Sequence, residues 1–306
     1  MDQTPVISYT GTPFTLTKDV AISTITPTNT GGTATSWSIS PNLPTGLTFD
    51  TSTGEIIGTP SILQITPITY TITATNTGGT DTTTISLSIL DSMPSISYTQ
   101  NDLTLTKGTA TSTVSPTNSG GAVTSWSISP AFSNGLNFDT STGEITGTPN
   151  LIQTRTQFTI TATNSGGSST AYVNITVNDI APSISYPVSY LFTKGQTISL
   201  IYATNTGGTA TSWEVSDLPS GLSIDSSAGY IWGTPQTVTP TTTYTVWANN
   251  SGGSSSTSIT ITVNDLPAGS FAYNPTDMVL TLNQAMTPNT VSPGGGAVTS
   301  LSLIHI

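Results

Sequence analysis

No cysteine occurs among the 306 residues, so disulfides, zinc–thiolate sites and thiol catalysis are excluded together. Positive charge is almost as scarce: four bases (Lys18, Lys107, Arg155 and Lys194) stand against fifteen acids, for a formal net charge of −11. Such a surface repels phosphate backbones, which argues against nucleic acid as a partner. Apolar residues nowhere recur at spacings of three and four over helical length, and no apolar run approaches a membrane span. A basic-then-apolar leader is also missing. Met1–Pro5 reads instead as an inter-repeat linker, so the chain is expected to start part-way through a longer protein. The single histidine, His305, sits at the extreme C-terminus, where it can serve no catalytic triad.

What the chain has in abundance is threonine, serine, glycine and proline, arranged with a period near ninety residues. Tyr9, Tyr98, Tyr186 and Tyr273 recur at intervals of 89, 88 and 87 residues, and Trp37, Trp126 and Trp213 at 89 and 87. TGLTFDTSTGEIIGTP (45–60) returns as NGLNFDTSTGEITGTP (134–149) and SGLSIDSSAGYIWGTP (220–235). Each copy closes with a Gly-Gly turn leading into a Thr/Ser-rich strand. The organisation read from this is a linker at 1–4, repeats at 5–90, 94–178 and 182–264, and a truncated fourth repeat at 269–306. That last piece carries Leu301 where the others carry Trp. Its terminal Leu-Ser-Leu-Ile-His-Ile matches the translation of a transposase-end adapter, so 301–306 is expected to be read-through on a truncated gene.

Within a repeat the pattern is that of β-structure. In TYTITATN (69–76), Tyr70, Ile72 and Ala74 alternate with threonines, the period-two signature of a strand wet on one face. GLTFDTSTGEI reads as a hairpin, with Leu47, Phe49 and Ile56 inward, Asp50 capping the turn and Gly54 in the left-handed position. Thr-Pro ends its second strand, because proline cannot donate to a ladder. Six to eight such strands without a helix predict an all-β chain of tandem immunoglobulin-like sandwiches, each anchored by its tryptophan.

The ordered motif LPxGLxFDxxTGxIxGTP, then YxIxAxNxxG and a Thr/Ser-rich last strand, resembles the bacterial putative-Ig family of cadherin-like repeats. The resemblance covers nearly all of residues 5–265. It implies a monomeric, extracellular segment of a large surface or secreted bacterial protein, with a structural or adhesive role as a stalk or adhesin and no enzymatic activity. The linkers VNDIAP (177–182) and VNDLPA (263–268) are similar to part of a cadherin linker. On that likeness Asp91, Asp179 and Asp265 are candidate calcium ligands that would rigidify the array; no other cofactor is expected.

Other candidate chemistry is sparse. The pair Asp50/Glu55 recurs as Asp139/Glu144, but turn formation explains both, and Tyr230 replaces the glutamate in the third copy. Lys18, Lys107 and Lys194 share one position that reads as a solvent-facing hairpin tip, with an isopeptide crosslink as the sharper alternative. Repeat 3 carries the most individual signal. Tyr230, Trp232 and Trp247 replace Glu55, Ile57 and Thr73 of repeat 1, and strand alternation turns all three away from the core. Exposed aromatics of this kind can stack on the sugar rings of a glycan or mark a cell-surface protein partner; the alternatives are that immunoglobulin topology splits Trp247 from the other two onto the opposite sheet, or that the rings pack against a linker or loop.

Overall fold

A computed structural model describes residues 2–267, 269, 271–273, 282, 285 and 291–293. Its described residues contain strands and no α-helix. By internal contacts the chain divides into two units, residues 1–177 with repeats 1 and 2, and residues 178–306 with repeat 3.

Repeat 1 shows the common plan. Its strands are β1 (Ile7–Ser8), β2 (Phe14–Thr17), β3 (Thr28–Asn29), β4 (Ser36–Ser40), β5 (Leu47–Phe49), β6 (Ile56–Gly58), β7 (Gln64–Asn76) and β8 (Gly79–Leu90). A four-stranded sheet runs in the order β2-β8-β7-β4, with β2 parallel to β8 and the other pairs antiparallel. The facing layer is made of short pieces: β1 with β3, and β5 with β6, the latter extended by a bridge between Ile25 and Ile56. Repeats 2 and 3 have the same sheet orders.

The sandwich closes because the inward residues of both layers are apolar and the outward ones are hydroxylic. Tyr70, Ile72 and Ala74 of β7 meet Ile85, Leu87 and Ile89 of β8 and Ile56 of β6 in one core. Trp37, Trp126 and Trp213 are buried, each in its own core cluster. On the outer face, Ser36, Ser38 and Ser40 of β4 lie opposite Thr75, Thr73 and Thr71 of β7, which in turn oppose Thr80, Thr82 and Thr84 of β8.

One element differs from the sequence reading. The strand predicted at 69–76 begins at Gln64 and carries a register shift between Gln64 and Ile68. Pro67 lies inside the shift, where its missing N–H breaks the ladder without ending the strand. Pro240 occupies the matching irregularity of repeat 3, between Thr239 and Thr242. The readings of 269–306 as a fourth repeat and of 301–306 as adapter sequence fall outside the described residues. Only the pairing of Phe271–Tyr273 with Val291–Pro293 is described there.

Candidate functional site

The most strongly repeated motif builds a turn. The Asp50 carboxylate accepts hydrogen bonds from the Ser52 N–H at 2.7 Å, the Ser52 hydroxyl at 2.5 Å and the Thr53 N–H at 3.1 Å. The Ser52 hydroxyl, followed by these backbone donors, holds the Asp50 carboxyl below the usual carboxylate range. Gly54 then turns with φ of 76° and lies flat on the indole, a Cβ there falling 2.6 Å from the Trp37 ring. Its carbonyl accepts the buried Tyr9 hydroxyl, and burial pushes that phenol up. Tyr98–Gly143–Trp126 and Tyr186–Gly229–Trp213 repeat the arrangement. The acids of this hairpin are therefore spent on local geometry. Asp139 caps its turn as Asp50 does, and Glu144 accepts a hydrogen bond from the Ser115 hydroxyl across the layer at 2.9 Å.

Two of the linker aspartates, Asp91 and Asp179, dock onto the Gly-Gly turn of the repeat that follows them. The Asp91 N–H donates to the Ser165 hydroxyl at 2.9 Å, and the Asp179 N–H to the Ser251 hydroxyl at 2.9 Å. The Asp265 carboxylate accepts the Leu266 N–H at 2.9 Å. Among the described residues no three His, Cys, Asp or Glu side chains gather to hold a metal. Lys18 pairs with the neighbouring Asp19 at 3.2 Å at a partly exposed turn.

The three aromatics of repeat 3 do not form one cluster. Trp247 lies on the strand Thr239–Asn250 of the four-stranded sheet, opposite Glu214 and Ser256, and is 37% exposed. Trp232 lies on Ile231–Gly233 of the small layer, opposite Ser223, and is 49% exposed. Ile231 and Val246, their inward neighbours, belong to a single core, so the two indoles occupy opposite outer faces. Tyr230 shares the outer face with Trp232, being two residues away on the same run of chain.

The structure supplies two further members of that face. Ile201 bridges Ile231 in antiparallel register, which brings Tyr202 opposite Tyr230 and Leu200 opposite Trp232. The Tyr202 and Tyr230 rings touch, with centroids 5.7 Å apart and planes tilted by 57°. The Tyr230 phenol interacts with the Asp225 carboxylate, which raises it above its usual range. Comparing repeats could have found Leu200 and Tyr202, since their positions are hydroxylic in repeat 1 (Thr24, Thr26) and repeat 2 (Thr113, Ser115).

The family that the chain's repeats match agrees with this architecture. The Putative Ig domain family matches residues 2–90, 93–178 and 181–264. The serine-rich adhesin for platelets of Staphylococcus aureus is 30% identical over 195 residues, covering 60% of this chain. The chain spans 8% of that protein's length. Among solved structures, the I-band fragment I67–I69 of titin aligns with 16% identity and a TM-score of 0.41, covering 85% of this chain and 99% of that one. Extracellular domains 3–5 of Drosophila OTK align with 14% identity and a TM-score of 0.38, covering 84% and 97%.

Proposed function

Because the chain belongs to the Putative Ig domain family, three times in succession, we propose that it is a non-enzymatic, load-bearing stalk segment of a bacterial surface or secreted adhesin. The observation that carries this reading is that the last strand of the repeat lies beside the second, which enters the four-stranded sheet from the N-terminal side. In repeat 1, Phe14, Thr15, Leu16 and Thr17 of β2 run parallel to Leu87, Ser88, Ile89 and Leu90 of β8. In repeat 3, Ser189–Thr193 runs parallel to Thr260–Asn264 in the same way. Tension applied along the chain pulls one of these strands toward the N-terminus and the other toward the C-terminus. It loads their whole ladder in shear, so the hydrogen bonds must fail together rather than one by one.

The junction between repeats 1 and 2 has no slack. The Leu90 carbonyl accepts the Lys18 N–H of repeat 1, while the next residue, Asp91, is already bonded to Ser165 of repeat 2. The acidic, hydroxyl-rich surface suits an extended segment that must stay hydrated. The adhesin relative supports placing the array at a cell surface.

Stretching the chain by its termini in an atomic-force instrument tests the proposal. We expect three unfolding peaks, each releasing about 30 nm, the contour of one repeat at ~3.5 Å per residue. Alternate residues of β2 donate to β8, so a Thr15→Pro/Leu16→Pro variant removes at least one ladder bond and lowers the peak of repeat 1. Smooth extension without force peaks would overturn the load-bearing role.

A further inference from the structure

Repeat 3 differs from its neighbours on one outer face. In repeat 2 the rung that corresponds to Tyr202 and Tyr230 is Ser115 hydrogen-bonded to Glu144, and in repeat 1 it is Thr26 beside Glu55. The next rung holds Thr113 and Thr146 in repeat 2, and Leu200 and Trp232 in repeat 3. The fold thus closes without aromatics at these positions. In repeat 3 it nonetheless displays Tyr202 at 62% exposure, with Trp232 and Leu200 each at 49%. Tyr230 is steadied from two sides, by the Tyr202 ring and by the Asp225 carboxylate. Asp225 is itself fixed by the Ser227 N–H at 2.9 Å, the Ser227 hydroxyl at 2.7 Å and the Ala228 N–H at 2.8 Å. The result is an ordered apolar surface beside a fixed anionic acceptor.

We infer that the face formed by Leu200, Tyr202, Tyr230 and Trp232, with Asp225 and Ser223 at its rim, binds one or two pyranose rings of a neutral glycan. Size argues for a sugar over a protein. Two half-exposed aromatics, the partly buried Tyr230 and one leucine offer on the order of 400 Å², about half of what one partner contributes to a stable protein interface. Rungs two residues apart stand about 6.7 Å from one another along a strand, close to the breadth of a hexose. Chemistry argues the same way. Aromatic faces take the C–H side of a pyranose, while the Asp225 carboxylate and the Ser223 hydroxyl can accept from its hydroxyls. Charge selects the neutral class: no lysine or arginine stands among these six residues, and the carboxylate together with the net charge of −11 repels sialylated or sulfated chains. Trp247, on the opposite face, takes no part. The assignment is independent of the load-bearing role, which makes no use of this face.

The test uses the whole chain and a probe set of chitotetraose, cellotetraose, laminaritetraose and β1,4-galactotetraose, with sialyllactose and a heparin tetrasaccharide as charged comparators, read by saturation-transfer NMR and tryptophan fluorescence. We expect saturable binding of at least one of them. Trp232→Ala and Tyr202→Ala should each weaken it by roughly tenfold or more, the worth of about 1.4 kcal/mol. Trp247→Ala should leave it unchanged, and thermal melts should show every variant folded. Four results would overturn the inference: no binding by about 10 mM, roughly ten times the dissociation constant of a 1 mM complex; binding that survives Trp232→Ala; binding confined to sialylated or sulfated oligosaccharides; or self-association of the chain that Trp232→Ala abolishes.

Discussion

The three core tryptophans, Trp37, Trp126 and Trp213, are each held by a glycine and a tyrosine rather than by a covalent link. Gly54 offers a side-chain-free surface against the Trp37 indole, and the Tyr9 hydroxyl donates to the Gly54 carbonyl. Sequence alternation placed Trp37 in the core. The glycine was legible only as a turn residue, because its contact with the indole joins positions seventeen residues apart. At the same scale, repeat 3 carries a defect. Tyr190 occupies the place of Phe14 and Leu103, and its hydroxyl is sealed with no hydrogen-bond partner among the described residues. A buried hydroxyl in that state costs about 1–3 kcal/mol. Tyr190→Phe should therefore raise the stability of repeat 3 by about that amount in chemical denaturation; a loss of stability would mean that the hydroxyl is satisfied after all.

At the level of elements, the Gly-Gly pairs do more than reverse the chain. A Cβ on Gly31 would sit 2.3 Å from the Thr4 carbonyl oxygen, and one on Gly78 would sit 2.1 Å from that of Asp2. The Asn76 side-chain amide donates to the Gln3 carbonyl at 2.7 Å and to the Thr33 carbonyl at 3.1 Å. Two turns from opposite ends of the repeat therefore clasp the entering linker between them. In repeat 2, Gly120 and Gly166 stand against the Met93 and Asp91 carbonyls, while Asn164 grips Ser92. A methyl group at Gly120 would meet the Met93 carbonyl at 2.3 Å. Gly120→Ala should thus destabilise repeat 2 by about 1–3 kcal/mol, as overpacking does. The same change should open residues 91–95 to proteinase K, and unchanged cleavage there would count against the clasp. The period-two pattern made the strands readable, but the clasp was not, since a glycine needed for clearance looks the same in sequence as one needed for a turn.

For the molecule as a whole, the clasp bears on whether the linkers need a metal ion to be held in place. The linker is tied down by protein groups, the Asp91 N–H to the Ser165 hydroxyl and the Ser92 carbonyl to the Asn164 amide. Melting of the chain is accordingly expected to be the same in millimolar calcium and in chelator. A rise of more than a few degrees with calcium would return Asp91, Asp179 and Asp265 to the role of ligands.

Repetition, alternation and the absence of cysteine and helical spacing were enough to establish tandem all-β sandwiches, because burying one face of a strand leaves its mark residue by residue along the chain. Which exposed residues stand together was decided only by folding. Trp232 and Trp247 lie fifteen positions apart and look alike in sequence, yet the core between the layers sends them to opposite faces. Tyr202 and Tyr230, nearly twice as far apart, are brought into contact by one bridge between Ile201 and Ile231. Cross-strand register is set by the packing of both layers at once, and no local stretch of sequence carries it.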